Sequence, residues 1–333
     1  MLNVAVVGLG WWGRVVVALL RSSVKLRAVM AVSVHAAGAS NFARENGLEF
    51  SDDFDSALRD SRVDAVILCT PHSQHCAQIV RAADAKKHVF CEKPLSLSRA
   101  EVLKAVAACN ANGVALAVGH EKRFEPPMVE LFRMAAAGEL GTLLQVEANF
   151  NQDKLLDLPP DNWRLSEKEA PAGPMTATGI HLLDLSVGLL GPADSVCARV
   201  RQLGSGLTNG DTLGALVTHK NGCNSLLSAI LATPFDGRFA VYGNKGWAEV
   251  RDKAHPEAPQ GWTLTINLKG KQKHAKEYPP TKAVLANLEA FADAAAGRVP
   301  YPVPQEQMIA NISALEAVFK SARSGQVEPV QNT

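Results

Sequence analysis

Three stretches of the chain carry residue types and spacings able to do chemistry. The first is Glu92-Lys93-Pro94, which closes the apolar run His88-Val89-Phe90-Cys91. A lysine at the end of a buried strand faces the crevice where open α/β sheets bind ligands. Its ammonium can hydrogen-bond a substrate oxygen or, with a lowered pKa, accept a proton. Lys-Pro after a strand is also ordinary turn chemistry, so Lys93 needs support from the rest of the chain. The second stretch, Gly8-Leu9-Gly10-Trp11-Trp12-Gly13, lies between a short apolar strand and a helix running from Arg14 to Leu20. In that context the glycines permit a tight turn and close backbone approach, and a pyrophosphate sits on the unpaired amides of the helix start. The third is His181-x-x-Asp184 on a helical pattern whose Leu182, Leu183 and Leu185 take the buried side. Residues three apart share a helix face. The carboxylate can orient or charge the imidazole, or the two can form a plain surface pair worth a few tenths of a kcal/mol.

The glycine loop predicts a nicotinamide dinucleotide, and the end of the second strand bears on which one. A carboxylate there would accept hydrogen bonds from the ribose hydroxyls of NAD, yet no Asp or Glu occurs between Gly8 and Glu45, and Ser33 holds the position. Ser33 and His35 tolerate a 2′-phosphate, so the reading leans to NADP over NAD, although neither supplies an arginine. The tandem Trp11-Trp12 offers an aromatic platform, a cover for the pyrophosphate loop, or packing for the helix start.

These sites require elements to position them. Short apolar strands at Val4 to Val7, Leu26 to Val32, Ala65 to Cys69, His88 to Cys91 and Val114 to Val118 alternate with helical segments, as in a parallel sheet covered on both faces. Ser98-Arg-Ala-Glu101 reads as a capping box that starts a crossover helix, with a stop at Gly113. After Thr142 the pattern changes to alternation: Leu144, Val146, Ala148 and Phe150, and later Trp262, Leu264, Ile266 and Leu268, mark half-buried strands. With further strands near 195–203, 211–219, 223–232 and 238–250, the second half is a large, mostly antiparallel sheet with one open face. The fold class is α/β. A Rossmann domain over 1–122 precedes a substrate-binding and oligomerisation domain over 123–333, whose last helix, about 304–323, packs back near the first domain.

Composition narrows the partners. The 333 residues suffice for two cores with a cleft between them, and 34 basic against 33 acidic side chains give a net charge of +1, which points to neither nucleic acid nor a membrane surface. A small molecule is the expected substrate, and a homodimer or homotetramer through the open sheet is the expected assembly. The six cysteines form no C-x-x-C pair, and the chain enters a strand at once without a basic leader or an apolar span. A cytoplasmic protein with reduced thiols is expected. Cys69, His72, His75 and Cys76 have zinc-like donor types, but they fall in a strand, loop and helix that the cofactor already explains, so no metal is expected.

Taken together, the motifs resemble those of the Gfo/Idh/MocA oxidoreductases, NAD(P)-dependent enzymes acting mainly on sugars, inositols and related compounds. The resemblance covers nearly the whole chain. It rests on Gly8-x-Gly10-x-x-Gly13, Thr70-Pro71-His72-x-x-His75, Glu92-Lys93-Pro94, Gly119-His120-Glu121-Lys122-Arg123-Phe124, Trp163-Arg164 and Gly179-Ile180-His181-x-x-Asp184. It implies that Lys93 and His181 flank the nicotinamide and that the segment with Thr70, Pro71, His72 and His75 lines the cofactor; Asp184 is taken with His181 as a catalytic candidate, and Glu92 with Lys93 as a cofactor-binding one. Arg123 and Arg164 are candidate substrate cations or surface salt bridges; Glu121 either joins them or neutralises Arg123. One departure concerns the chemistry. The family often has an aspartate four residues before the histidine, and here that residue is Ala177, so Lys93 and His181 act alone or with a hydroxyl from Thr176 or Thr178. The implied reaction is hydride exchange with a carbinol or carbonyl carbon. Two alternatives stay open: a cofactor-binding sensor without catalysis, and an enzyme that uses tightly held cofactor for transient oxidation during sugar elimination or hydrolysis.

Overall fold

The computed structural model describes residues 1–35 and 38–331. Along the chain run β1 (Leu2–Val7), α1 (Trp11–Leu20), β2 (Leu26–Val32), α2 (Ala39–Glu45), β3 (Glu49–Ser51), α3 (Phe54–Arg59), β4 (Ala65–Leu68), α4 (His75–Asp84), β5 (His88–Cys91), α5 (Arg99–Asn112) and β6 (Leu116–Val118). They are followed by α6 (Pro126–Ala136), β7 (Leu143–Asn151), α7 (Ile180–Leu190), β8 (Ala193–Arg201), β9 (Thr212–His219), β10 (Asn224–Ile230), β11 (Asp236–Gly243) and β12 (Gly246–Asp252). The chain ends with β13 (Trp262–Leu268), β14 (His274–Tyr278), α8 (Ala283–Ala295), α9 (Gln305–Ser324) and β15 (Val327–Pro329).

Two compact units form: residues 1–121 with 283–308, and residues 122–282 with 309–333. The expected boundary after residue 122 therefore lies close to the first crossing. The expected continuous second domain is interrupted, because α8 lies within the first unit while most of the last helix lies within the second. The physical reason is burial: Leu288, Phe291 and Ala292 of α8 join Val4, Val6, Val16, Ile67 and Phe90 in one apolar core. The Phe90 and Phe291 rings meet edge to face at 5.8 Å. Asn287 and Tyr301 secure the same segment, each donating to the Val118 carbonyl at the end of β6, at 3.0 and 2.8 Å.

The first unit is a six-stranded parallel sheet in the order β3-β2-β1-β4-β5-β6, the doubly wound arrangement in which β1 is central. Burial on both faces explains why β4 is an unbroken Ala-Val-Ile-Leu run. Half of the capping box keeps its usual register, with Ser98 Oγ accepting from the Glu101 amide, while the Glu101 carboxylate reaches one residue further back, to the Leu97 amide. Gly113, at φ 66°, ends α5 in the left-handed conformation. The three-residue edge strand β3 was too short to show a period.

The second unit is a nine-stranded sheet ordered β14-β13-β12-β11-β7-β10-β9-β8-β15, antiparallel except for the β7–β10 pair. Val146, Ala148 and Phe150 point to the covered face as the alternation requires, but Leu144 at the strand start is 51 % exposed. The stretch 238–250 is not one strand but the hairpin of β11 and β12. α7 lies on the covered face of β7 and β10, and α6 on that of β12 and β13. Truncating Phe291 to Ala should cost about 3–5 kcal/mol and loosen the first unit alone. Hydrogen exchange should then accelerate in β1 and β5 with β7 unchanged; equal acceleration in β7 would contradict this placement of α8.

Candidate functional site

At the end of β1 the three loop glycines stand in different surroundings. Gly8 has φ +92°, and a Cβ there would stand 2.6 Å from the Cys69 carbonyl oxygen. A Cβ at Gly13 would overlap the Gly8 carbonyl. Gly10 is different: its φ of −65° suits any residue, and a Cβ there would meet no described atom within 4 Å. The protein itself therefore does not require glycine at position 10. Position 10 leaves open space beside the loop, and α1 begins at that point with no described side chain capping its amides. Loop and helix start thus fit a dinucleotide pyrophosphate. The two tryptophans divide: Trp11 is 53 % exposed, and Trp12 packs against the core of the first unit. At the end of β2, Ser33 is nearly buried and its hydroxyl donates to the His35 carbonyl at 3.5 Å.

The loops after β4 and β5 are clamped together by His75. Its Nδ1 lies 2.8 Å from the Pro94 carbonyl oxygen and its Nε2 3.0 Å from that of Thr70, in a fully buried setting. His75 was expected to line the cofactor; it instead stands behind the loop and fixes its shape, with both ring nitrogens turned to backbone. Thr70 donates to Gln78 Oε1 at 2.6 Å, Pro71 precedes the short helical turn His72–Gln74, and His72 is buried with its ring 5.8 Å from that of His75. Lys93 is half-buried and joined to Pro94 through a cis peptide bond.

Glu92 beside it is buried, and a Cβ at Gly119 would lie 2.6 Å from its carboxylate, so the glycine makes room for that side chain. Burial pushes the Glu92 carboxyl up to about 7, with the nearby Glu121 charge acting in the same direction and the Trp12 indole and Lys93 ammonium opposing it. Glu121, itself 8 % exposed, is therefore a neighbour of Glu92 within the first unit.

In the second unit His181 is the second residue of α7, 4 % exposed, directly after the π-helical turn Met175–Gly179. The Phe150 ring lies 6.1 Å from its imidazole. Asp184 differs from expectation. Its carboxylate, offered by the sequence to His181, is gripped by Arg123: Nε donates to Oδ2 at 2.6 Å and Nη2 to Oδ1 at 3.1 Å. Nη2 also donates to the Asp184 carbonyl at 2.7 Å. The pair is dry, with side chains 8 % and 2 % exposed, and Gly188 leaves the space that the guanidinium fills. Arg123 was expected among the substrate cations; its charge is answered inside the fold, because a buried guanidinium needs a carboxylate at hand. Arg164 keeps a more open position, stacked over Trp163 at 4.3 Å, with its carbonyl held by the buried Asn209 amide. The hydroxyls considered as substitutes at position 177 donate to backbone: Thr176 to Gly173, and Thr178 to Phe150 and Pro174.

Sequence reasoning missed Lys122. This buried lysine pairs with Asp252 at 2.9 Å and Glu125 at 3.3 Å, and stands 5.1 Å from the centre of the Phe150 ring that neighbours His181. The signal was present in Lys122-Arg123 before an apolar helix, but nothing local separates a buried basic pair from a solvated one.

A doubly wound sheet with a pyrophosphate cradle after β1 and a lysine at the end of β5 defines an NAD(P)-binding oxidoreductase. Residues 2–120 match the model of the oxidoreductase family with an NAD-binding Rossmann fold, and residues 128–249 match the GFO/IDH/MocA C-terminal domain. The chain belongs to the Gfo/Idh/MocA family. It is 29 % identical over 260 residues to the uncharacterized oxidoreductase YrbE of Bacillus subtilis, covering 74 % of this chain and 72 % of that protein. It is 27 % identical to D-xylose 1-dehydrogenase (NADP(+)) 2 of Haloferax volcanii, over 87 % of each chain. Its fold is similar to that of aldose-aldose oxidoreductase from Caulobacter crescentus, with a TM-score of 0.87 at 24 % identity over 98 % and 99 % of the two chains.

Two outcomes test the site. Gly10→Ala should leave thermal stability within about 1 kcal/mol of wild type yet weaken NADPH binding at least tenfold in a fluorescence titration. Loss of folding would show instead that position 10 serves the fold. The raised Glu92 pKa has a defined sign: the favourable protonated form is fully present below pH 4.5 and lost as pH rises through about 7. Glu92→Gln should therefore gain stability relative to wild type as pH rises from about 4.5 to 7 and keep that gain above it, and urea melts from pH 4.5 to 7 with a constant difference would contradict it.

Proposed function

We propose that the chain transfers hydride between NADP, in preference to NAD, and the carbinol or carbonyl carbon of a sugar, polyol, inositol or related hydroxy compound. The observation that carries the reading is the Gly10 cradle in the same unit as a lysine at the end of β5, a combination that suits a nicotinamide site. The D-xylose dehydrogenase among its relatives supports the substrate class. Bound nicotinamide supplies hydride exchange at C4. Lys93 and His181 divide the remaining work: one moves the hydroxyl proton as general acid or base, and the other stabilises the developing alkoxide. Arg164 is the side chain offered to substrate.

The open face of the nine-stranded sheet is the proposed homo-oligomer surface. On it Leu226 of β10 lies opposite Leu216 of β9, which lies opposite Cys197 of β8, and both leucines are more than 40 % exposed. Six free cysteines accord with a cytoplasmic setting, and no helix among the described residues is long and apolar enough to cross a membrane. Ala177 is the observation that favours a second reading, a cofactor-binding sensor that has lost catalysis. Screening the pure protein with NADP and a panel of sugars, polyols and hydroxy acids separates the two. In the enzyme, Lys93→Met should lower turnover by about 10²–10⁴-fold with NADPH affinity retained. Near-wild-type activity would remove Lys93 from the chemistry, and no turnover on any panel member would favour the sensor.

A further inference from the structure

The cofactor preference proposed above lacks its cation in the sequence, because the segment after β2 contains no arginine. The structure brings one from another element. Arg14, in the first turn of α1, extends its side chain across to that segment, where Nη2 donates to the Gly38 carbonyl at 3.1 Å. Its Nε donates to the Leu9 carbonyl of the glycine loop at 3.2 Å, and its guanidinium lies 4.8 Å from the centre of the Phe42 ring on α2. Three contacts thus fix the cation between the pyrophosphate loop and the start of α2, on the segment that follows β2, and the adenosine ribose of a dinucleotide rests at the end of β2 in this fold.

Charge gives the arrangement a direction. Both acceptors are neutral carbonyls, and among the described residues no carboxylate pairs with Arg14. They leave part of the planar donor fork available to a further oxygen ligand. The usual competitor is also missing, since Ser33 stands where an NAD-selective chain would place an acid, and its nearly buried hydroxyl is turned to the His35 carbonyl. A carboxylate at that position would repel a 2′-phosphate and neutralise Arg14; serine does neither.

We propose that Arg14 is the residue that reads the 2′-phosphate and makes the chain selective for NADP(H). The assignment rests on the nicotinamide-binding reading, though not on the identity of the substrate. Equilibrium titration of the full chain with NADPH and NADH, followed by cofactor fluorescence, tests it without turnover. 2′,5′-ADP and 5′-AMP serve as competing probes that lack the nicotinamide. Wild type should bind NADPH at least tenfold more tightly than NADH, and 2′,5′-ADP more tightly than 5′-AMP. Arg14→Leu should weaken NADPH and 2′,5′-ADP by about 10–100-fold, the worth of a charge-assisted contact, and change NADH by less than about threefold. Arg14→Lys should keep the charge and retain part of the preference. Equal wild-type affinities for the two cofactors would overturn the proposal. So would an Arg14→Leu variant that weakens both by the same factor, because Arg14 would then be only a brace for the loops. An inactive protein that nonetheless prefers NADPH would sink the dehydrogenase reading and leave the role of Arg14 standing.

Discussion

The contact on which the first unit depends is backbone against backbone. α1 starts so close to the end of β1 that a Cβ at Gly13 would overlap the Gly8 carbonyl, and β1 ends so close to β4 that a Cβ at Gly8 would press on the Cys69 carbonyl. No rotamer change can relieve either clash, since every atom concerned belongs to the main chain. This close packing fixes α1 relative to β4, and Thr70 follows Cys69 directly. His75 passes the constraint on by holding the Thr70 and Pro94 carbonyls on its two nitrogens. The residue before Pro94 is Lys93. A glycine at position 13 and a lysine at position 93 thus belong to one connected set of contacts.

The second unit achieves its positioning with buried charge instead. Arg123 and Asp184 tie the turn 121–124 to α7, and Lys122 with Asp252 and Glu125 anchors the same turn to the end of β12. Trp262 adds its indole N–H to the Asp252 carboxylate at 3.0 Å. Buried pairs of this kind add little net stability, because desolvation cancels most of the Coulomb attraction, yet leaving one partner alone is very unfavourable. Their effect is to exclude other placements of α7. His181 inherits that definition, and Phe150, between Lys122 and the imidazole, packs against both.

These two kinds of constraint explain what could be read from the residues. Gly8, Gly10 and Gly13, the β-branched runs and the Ser98 cap are local signals, and the parallel sheet with its nucleotide loop follows from them. The alternation of Val146, Ala148 and Phe150 likewise revealed the large sheet. Charge pairing was not legible, because Arg123 and Asp184 lie far apart in the chain and only the fold brings them together. Arg123 therefore looked like a substrate cation and Asp184 like a partner for His181. The same reason hid Arg14: it reads as an ordinary exposed helix residue until α1 is packed beside the segment after β2. α8 was misassigned to the second half because the chain returns to the first core after an excursion of some 160 residues, and Phe291 carries no mark of which core it fills.

Ala177 has a narrower consequence than the sequence alone suggests. A missing carboxylate could be replaced by a neighbouring hydroxyl or by the next acid along the helix, and the structure weakens the case for each. Thr176 and Thr178 donate to carbonyls that keep the π-helical turn in shape, and Asp184 answers Arg123. Releasing either hydroxyl would leave a buried carbonyl without that donor, and releasing Asp184 would strand a buried guanidinium. Within the segment 174–184, the proposed reaction is therefore left with the His181 imidazole as the group able to move a proton. Stabilising a developing alkoxide with a cation from outside this segment is one of the two roles that the proposed reaction leaves to Lys93.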